Sequence, residues 1–128
     1  MLDIHAAWVL SAAFVLSILY ETWRMLARRG VSVHDTPTEW AKGLVIYVIA
    51  GGVIWALFFA LPAAAWLGLL LSIGFILVST FYYNPVIMRD RRPGAVDWIE
   101  DILFTGLLFI AAWLLAFHLM GFQITRIG

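Results

Sequence analysis

Apolar residues run along this chain in long unbroken blocks, and the polar residues gather between them. Residues 43–88 carry no formal charge at all. As one straight helix that stretch would measure about 69 Å, at roughly 1.5 Å per residue. A bilayer's hydrocarbon core is only about 30 Å thick. The run must fold back on itself, and Pro62 near its middle marks the reversal. With the blocks on either side, the pattern predicts four spans at about residues 4–26, 40–61, 63–83 and 98–120. Each is near the roughly 20 residues that a membrane helix needs. None alternates polar with apolar, which argues against strands. Helices also satisfy their own backbone groups where lipid cannot. The expected fold is all-α: a polytopic integral membrane protein in which residues 1–128 form one four-helix transmembrane domain, built as two tandem hairpin-like pairs.

Composition agrees. The chain is 64% hydrophobic and 12% charged, with a mean hydropathy of +0.97. A soluble domain carries about 25% charged residues, so water could not cover this surface and lipid must. Net charge is zero, which gives no sign of a nucleic-acid partner. Cysteine is absent, which removes disulfides, thiolate metal sites and thiol catalysis together. The start, Met1-Leu2-Asp3-Ile4-His5, lacks a basic leader region, and Glu21-Thr22-Trp23-Arg24 follows the first apolar run instead of small residues. The first span is therefore expected to be retained and not cleaved.

Charge then orients the spans. Arg24, Arg28, Arg29 and Lys42 flank the first loop, and Arg89, Arg91 and Arg92 lie between spans 3 and 4. Only Arg126 lies at the opposite side. By the positive-inside rule, both loops are expected in the cytoplasm and both termini outside, in a membrane expected to be the bacterial plasma membrane.

Both loops end in helix-start signals. Thr36-Pro37-Thr38-Glu39 reads as a capping box with Thr at the N-cap, Pro at N1 and Glu at N3. Asp97-Trp98-Ile99-Glu100 has the same spacing, with Asp97 as N-cap. A shift of 58 positions pairs Trp40 with Trp98 and Trp55 with Trp113, a pattern that either chance among apolar letters or a parallel internal repeat produces. Small residues recur four apart: Gly52, Ala56 and Ala60 in span 2, and Ala64, Gly68 and Ser72 in span 3. Such stripes let helices pack closely in lipid.

Few residues are equipped for chemistry. Glu21 lies near the cytoplasmic end of span 1, and serves either as a coupling or binding carboxylate or as an i,i+3 partner of Arg24. Glu100 and Asp101 open span 4. They form an adjacent acid pair able to bind a cation or stabilise a carbocation, or they simply suit a helix N-terminus. Because they point about 100° apart, they need not share a site. His5 and His118 fall at the same face. With Met120 and Met1 beside them, they offer imidazole and thioether ligands for copper, or a pair of haem ligands. Arg89, Arg91 and Arg92 suit anionic headgroups or a partner's acidic surface. Tyr47 lies deep and needs a hydrogen-bond partner. No P-loop, GxGxxG, HExxH or nucleophile elbow is present.

Tyr83-Asn84-Pro85, then Arg92 and Gly94, then Glu100-Asp101 leading an apolar span, resembles the small membrane lycopene cyclase subunits. In that family an aromatic-Asp-Pro loop precedes a helix opening with paired acids, and Asn84 stands where the Asp is usual. The resemblance implies a membrane enzyme in which Glu100 and Asp101 protonate a polyene. The absence of charge at mid-membrane leads elsewhere, to a non-enzymatic subunit or assembly factor of a larger membrane complex, meeting lipid, other membrane subunits or further copies of itself, without a cofactor. The alternative is a small homo-oligomeric transporter or channel with Glu21 or Asp101 as coupling group.

Overall fold

The computed structural model describes residues 2–30 and 32–121, so Met1 and Arg126 lie outside it. The described residues form an all-helical structure with four helices long and apolar enough to cross a membrane. These are α1 (Leu2–Ala27), α2 (Pro37–Phe58), α3 (Ala64–Met88) and α4 (Ala95–Leu119). Each antiparallel neighbour follows in sequence, and α1 closes the bundle against α4. Of the neighbouring pairs, α2 and α3 meet least closely.

The core grows from one face of α1. Ala6, Ala7, Leu10, Ala13 and Phe14 are buried, at the spacing that keeps one helical stripe inward. The Phe14 ring stands edge-on to one ring from each of the other helices: Tyr47 (centroids 6.4 Å apart), Phe75 (5.4 Å) and Phe104 (5.4 Å). Tyr47 finds its partner in Ser17, whose hydroxyl is 2.7 Å away. In lipid such packing, not water's exclusion, holds helices together.

The small-residue stripe on α3 is a true contact line. Ala64, Gly68 and Ser72 are all buried, and a Cβ on Gly68 would sit 2.9 Å from a Leu115 methyl and 3.0 Å from a Leu57 methyl. The corresponding residues of span 2 are divided: Ala56 packs against the core, Gly52 is exposed, and Ala60, also exposed, lies in the turn beyond α2. The expectation of a continuous contact line holds for span 3 and only at Ala56 for span 2. The cause is rotational: α2 turns Ala50 and Leu57 to the core.

Two helix ends differ from expectation. The third helix continues past Tyr83 to Met88, because residues Ser79–Met88 adopt π-helical geometry. That wider winding takes in Pro85, which lacks an N–H and would break an α-helix. Asn84 and Pro85 are therefore helical and not part of a loop. The fourth helix starts earlier than Trp98, at Ala95, with Gly94 as N-cap. Asp97 is its N3 residue and accepts from the Gly94 N–H at 2.8 Å. Asp97, not Glu100, thus closes the cap. At Thr36 half of the expected box forms: Thr36 Oγ1 accepts from the Glu39 N–H at 3.2 Å with Pro37 at N1, while the Glu39 carboxylate pairs with Lys42 at 3.3 Å.

The hairpin at Pro62 occupies residues 59–63, where Ala60 (φ 49°) and Ala63 (φ 65°) adopt left-handed backbone. Both interhelical loops with basic residues lie at the opposite end of the bundle, and there the polar chemistry collects.

Candidate functional site

The loop end is knitted by two buried arginines. Arg24, on the last turn of α1, has no exposed surface. Its Nε donates to Asp35 Oδ1 at 3.0 Å, and Nη2 to the other Asp35 oxygen. Nη1 donates to Asp97 Oδ1 at 3.1 Å, and Nη2 also to the Arg91 carbonyl at 2.9 Å. Tyr20 donates its hydroxyl to the same Asp97 oxygen. One side chain thereby ties α1, both loops and the start of α4.

Arg91 is the second tie. Its Nη1 and Nη2 donate in parallel to the two Glu21 oxygens, at 2.9 and 2.7 Å. Nη1 also donates to the Tyr83 hydroxyl (3.0 Å), and Nη2 to the His34 carbonyl (3.4 Å). Its guanidinium lies over the Tyr20 and Tyr83 rings, 5.9 and 5.7 Å from their centroids. Burial works against its charge, but the hydrogen bonds and charge of Glu21, with Asp35 nearby, outweigh this and raise its pKa above the usual arginine value.

These contacts revise two expectations. Glu21 does not pair with Arg24 one turn away; it takes Arg91, 70 residues on. Arg24 instead turns toward the loops, where two carboxylates meet it. Arg91 is buried and cannot serve as a headgroup contact, whereas Arg89 and Arg92 are exposed. Tyr20, Asp35 and His34 went unrecognised in the sequence, and Tyr83 was singled out only through the motif it opens. The available signal was economy: in so apolar a chain, every acid near a span needs a partner.

Beneath the ion pairs lies a cavity of about 440 Å³. Glu21, Glu100, Asp101 and Arg91 all line it, so three of the candidate acids share one space. Its depth is aromatic, with Phe14, Tyr47, Phe75 and Phe104 in the wall. Glu39, Lys42 and Ile46 of α2 and Val78 and Tyr82 of α3 line it too and are exposed, so it opens between those two helices. Glu39 and Lys42 pair with each other at 3.3 Å.

The adjacent acids differ in their surroundings. Asp101 accepts from Ser79 Oγ at 3.3 Å. The Asn84 amide, with its nitrogen turned inward, donates to both Asp101 oxygens at 3.1 and 3.2 Å. Ser79 Oγ is also 3.0 Å from Thr105 Oγ1. Both donors to Asp101 come from the π-helical part of α3. Glu100 is 8% exposed, and no hydrogen bond or salt bridge from the described residues reaches its carboxylate. The π segment thus sets Tyr83 and Asn84 beside Arg91 and Asp101, an arrangement that a straight α-helix broken at Pro85 would not make.

The other candidates lie at the far end. His118 and Asp3 line a second cavity of about 340 Å³ beside the 59–63 turn. His5 and Met120 are exposed, and His118 is half-buried. Among the described residues no group of three or more His, Cys, Asp or Glu is arranged to hold a metal ion.

No protein-family model matches the chain, and no curated protein or solved structure is significantly similar to it. The likeness to lycopene cyclase subunits rests on the quoted residues alone.

Proposed function

We propose that this chain is a small membrane carrier that binds an amphipathic organic molecule reaching it sideways from the bilayer. The observation that supports this reading is the cavity: it is aromatic in its depth, acidic at one wall and open between two lipid-facing helices. Ligand pockets characteristically join a mostly apolar lining to a few fixed polar groups, within about 300–1,000 Å³. Intramembrane acids mark substrate or proton paths. Of Glu21 and Asp101, the two candidate coupling groups, Asp101 is the one through which transport would be coupled, because Glu21 is engaged by Arg91. The spans are oriented with both basic loops in the cytoplasm and both ends outside, in a bacterial plasma membrane.

A photoreactive alkyl probe incorporated into proteoliposomes tests the site. Label is expected to concentrate on Val78, Tyr82 and Ile46, and flux of a fluorescent amphiphile is expected to exceed that of protein-free vesicles. Label spread evenly over all lipid-facing helices, with no added flux, overturns the reading. A reporter inserted in residues 89–94 tests the orientation: it is expected in the cytosol.

A subunit role is the second reading, favoured by α2. Its Gly51 and Gly52 face outward, with nothing within 4 Å of where a Cβ would stand, so another chain's helix can approach its backbone closely. Co-purification in mild detergent of one membrane protein in constant ratio would support it.

A further inference from the structure

We infer that the molecule this cavity takes is a lipophilic organic cation, with Glu100 as its counter-charge and Asp101 as a second anionic contact. The inference rests on the reading of the cavity as a ligand site and adds the ligand's charge class.

Charge around the cavity does not balance. Glu21 is spoken for by the two-pronged contact with Arg91. Lys42 at the rim is held by Glu39. Arg91 lines the same space, but its Nη groups are occupied by Glu21, Tyr83 and the His34 carbonyl. Asp101 receives only neutral donors, Ser79 and Asn84. Glu100, more than nine-tenths buried, receives none. Among the described residues, therefore, no cation is in hydrogen-bond or ion-pair contact with either of these two carboxylates, although Arg91 lines the same cavity. A buried carboxylate without a partner is costly as an anion and otherwise keeps a proton; a cationic ligand stabilises the anion and releases that proton to water on binding.

The remaining wall selects the cation's type. Phe14, Tyr47, Phe75 and Phe104 present rings, and ring faces attract cations and oppose anions. An inorganic ion would lose its hydration against those rings with few oxygens in return. An organic cation spreads its charge and buries its apolar body there. Access between α2 and α3 suits a molecule that already partitions into lipid.

Three probes of similar shape and different charge test this by equilibrium dialysis on the full chain in lipid nanodiscs, with empty nanodiscs as blank: tetraphenylphosphonium, neutral triphenylphosphine oxide and tetraphenylborate. The cation is expected to bind at least ten-fold more tightly than either other probe. In Glu100→Gln that advantage is expected to shrink to less than about three-fold while the neutral probe's binding is unchanged, which also shows that the variant is folded. Asp101→Asn is expected to narrow the advantage less. Equal binding of all three probes overturns the charge assignment and leaves the cavity as a ligand site. Binding of none overturns both. An advantage that survives in Glu100→Gln overturns the role of Glu100.

Discussion

Arg24 and Arg91, two like charges, meet at the bundle end, where Arg24 Nη2 donates to the Arg91 carbonyl at 2.9 Å. Their closeness is tolerable because Asp35 lies between them. One of its oxygens takes Arg24 Nε at 3.0 Å and lies 3.3 Å from Arg91 Nε. Asp35 itself is fully buried. Removing one partner from a buried ion cluster strands the others, at a cost of about 3–5 kcal/mol. Asp35→Asn is therefore expected to lower the melting temperature in detergent more than any substitution among the exposed loop residues, such as Arg29→Gln. Arg24→Lys is not expected to rescue function or stability, because an ammonium cannot reproduce the fork of contacts to Asp35 and Asp97.

Tyr20 and Asp97 give a finer test. In Tyr20→Phe, Asp97 keeps Arg24 and the Gly94 N–H, so the loss is one hydrogen bond to a charged group, about 1.5–3 kcal/mol. Asp97→Ala removes the helix cap and an Arg24 partner together and is expected to cost clearly more. Thermal unfolding followed by tryptophan fluorescence in one detergent gives the order; equal losses would show that the cap and the Arg24 contact add nothing beyond the Tyr20 hydrogen bond.

Phe14 anchors the middle of the bundle through ring contacts to three helices. Phe14→Ala opens a hole beside the cavity and is expected to cost about 3–5 kcal/mol. Phe14→Leu is expected to cost less, since it keeps most of the volume. At Gly68 the reverse applies. Gly68→Ala meets only the ends of two leucine side chains, which swing aside, whereas Gly68→Ile is expected to wedge α3 from α2 and α4 at about 1–3 kcal/mol. Melting temperatures of the four variants check both expectations.

Four spans were legible because membrane thickness and an uncharged run leave one way to fold the chain, and Pro62 marks the reversal. The Thr36 cap was legible because its chemistry is local. The site was not. Glu21 and Arg24 stand one turn apart, and spacing alone suggests a pair. Their actual partners come from 67 to 73 residues away, or across a loop, and depend on how each helix is rotated. Rotation also separates the two small-residue stripes: the one on α3 is wholly inward, whereas on α2 Ala56 meets the core and Gly52 does not. Glu100 and Asp101, though about 100° apart on an ideal helix, line one cavity because it is broad enough to meet both. Span 3 was expected to end near Tyr83; π geometry, which has no simple sequence signature, carried the helix on past Pro85 and brought Asn84 to Asp101.

Asn84 offers the most direct test of that last arrangement. Its amide donates to both oxygens of Asp101, on the wall where Glu100 already lacks a cation. Asn84→Asp exchanges a donor for a third carboxylate without changing shape. The loss of hydrogen bonding to a charged group, about 1.5–3 kcal/mol, is compounded by repulsion, so the variant is expected to melt well below the parent. A ligand that binds only the folded state stabilises it more the tighter it binds, as the logarithm of its affinity at a given ligand concentration. Tetraphenylphosphonium is therefore expected to raise the melting temperature of Asn84→Asp more than that of the parent chain, and triphenylphosphine oxide is expected to raise both equally. Asn84→Leu, which removes the donors without adding charge, separates the two effects: it is expected to lose stability without the larger response to the cation. If Asn84→Asp and Asn84→Leu respond alike to the cation, charge on this wall does not govern what the cavity holds.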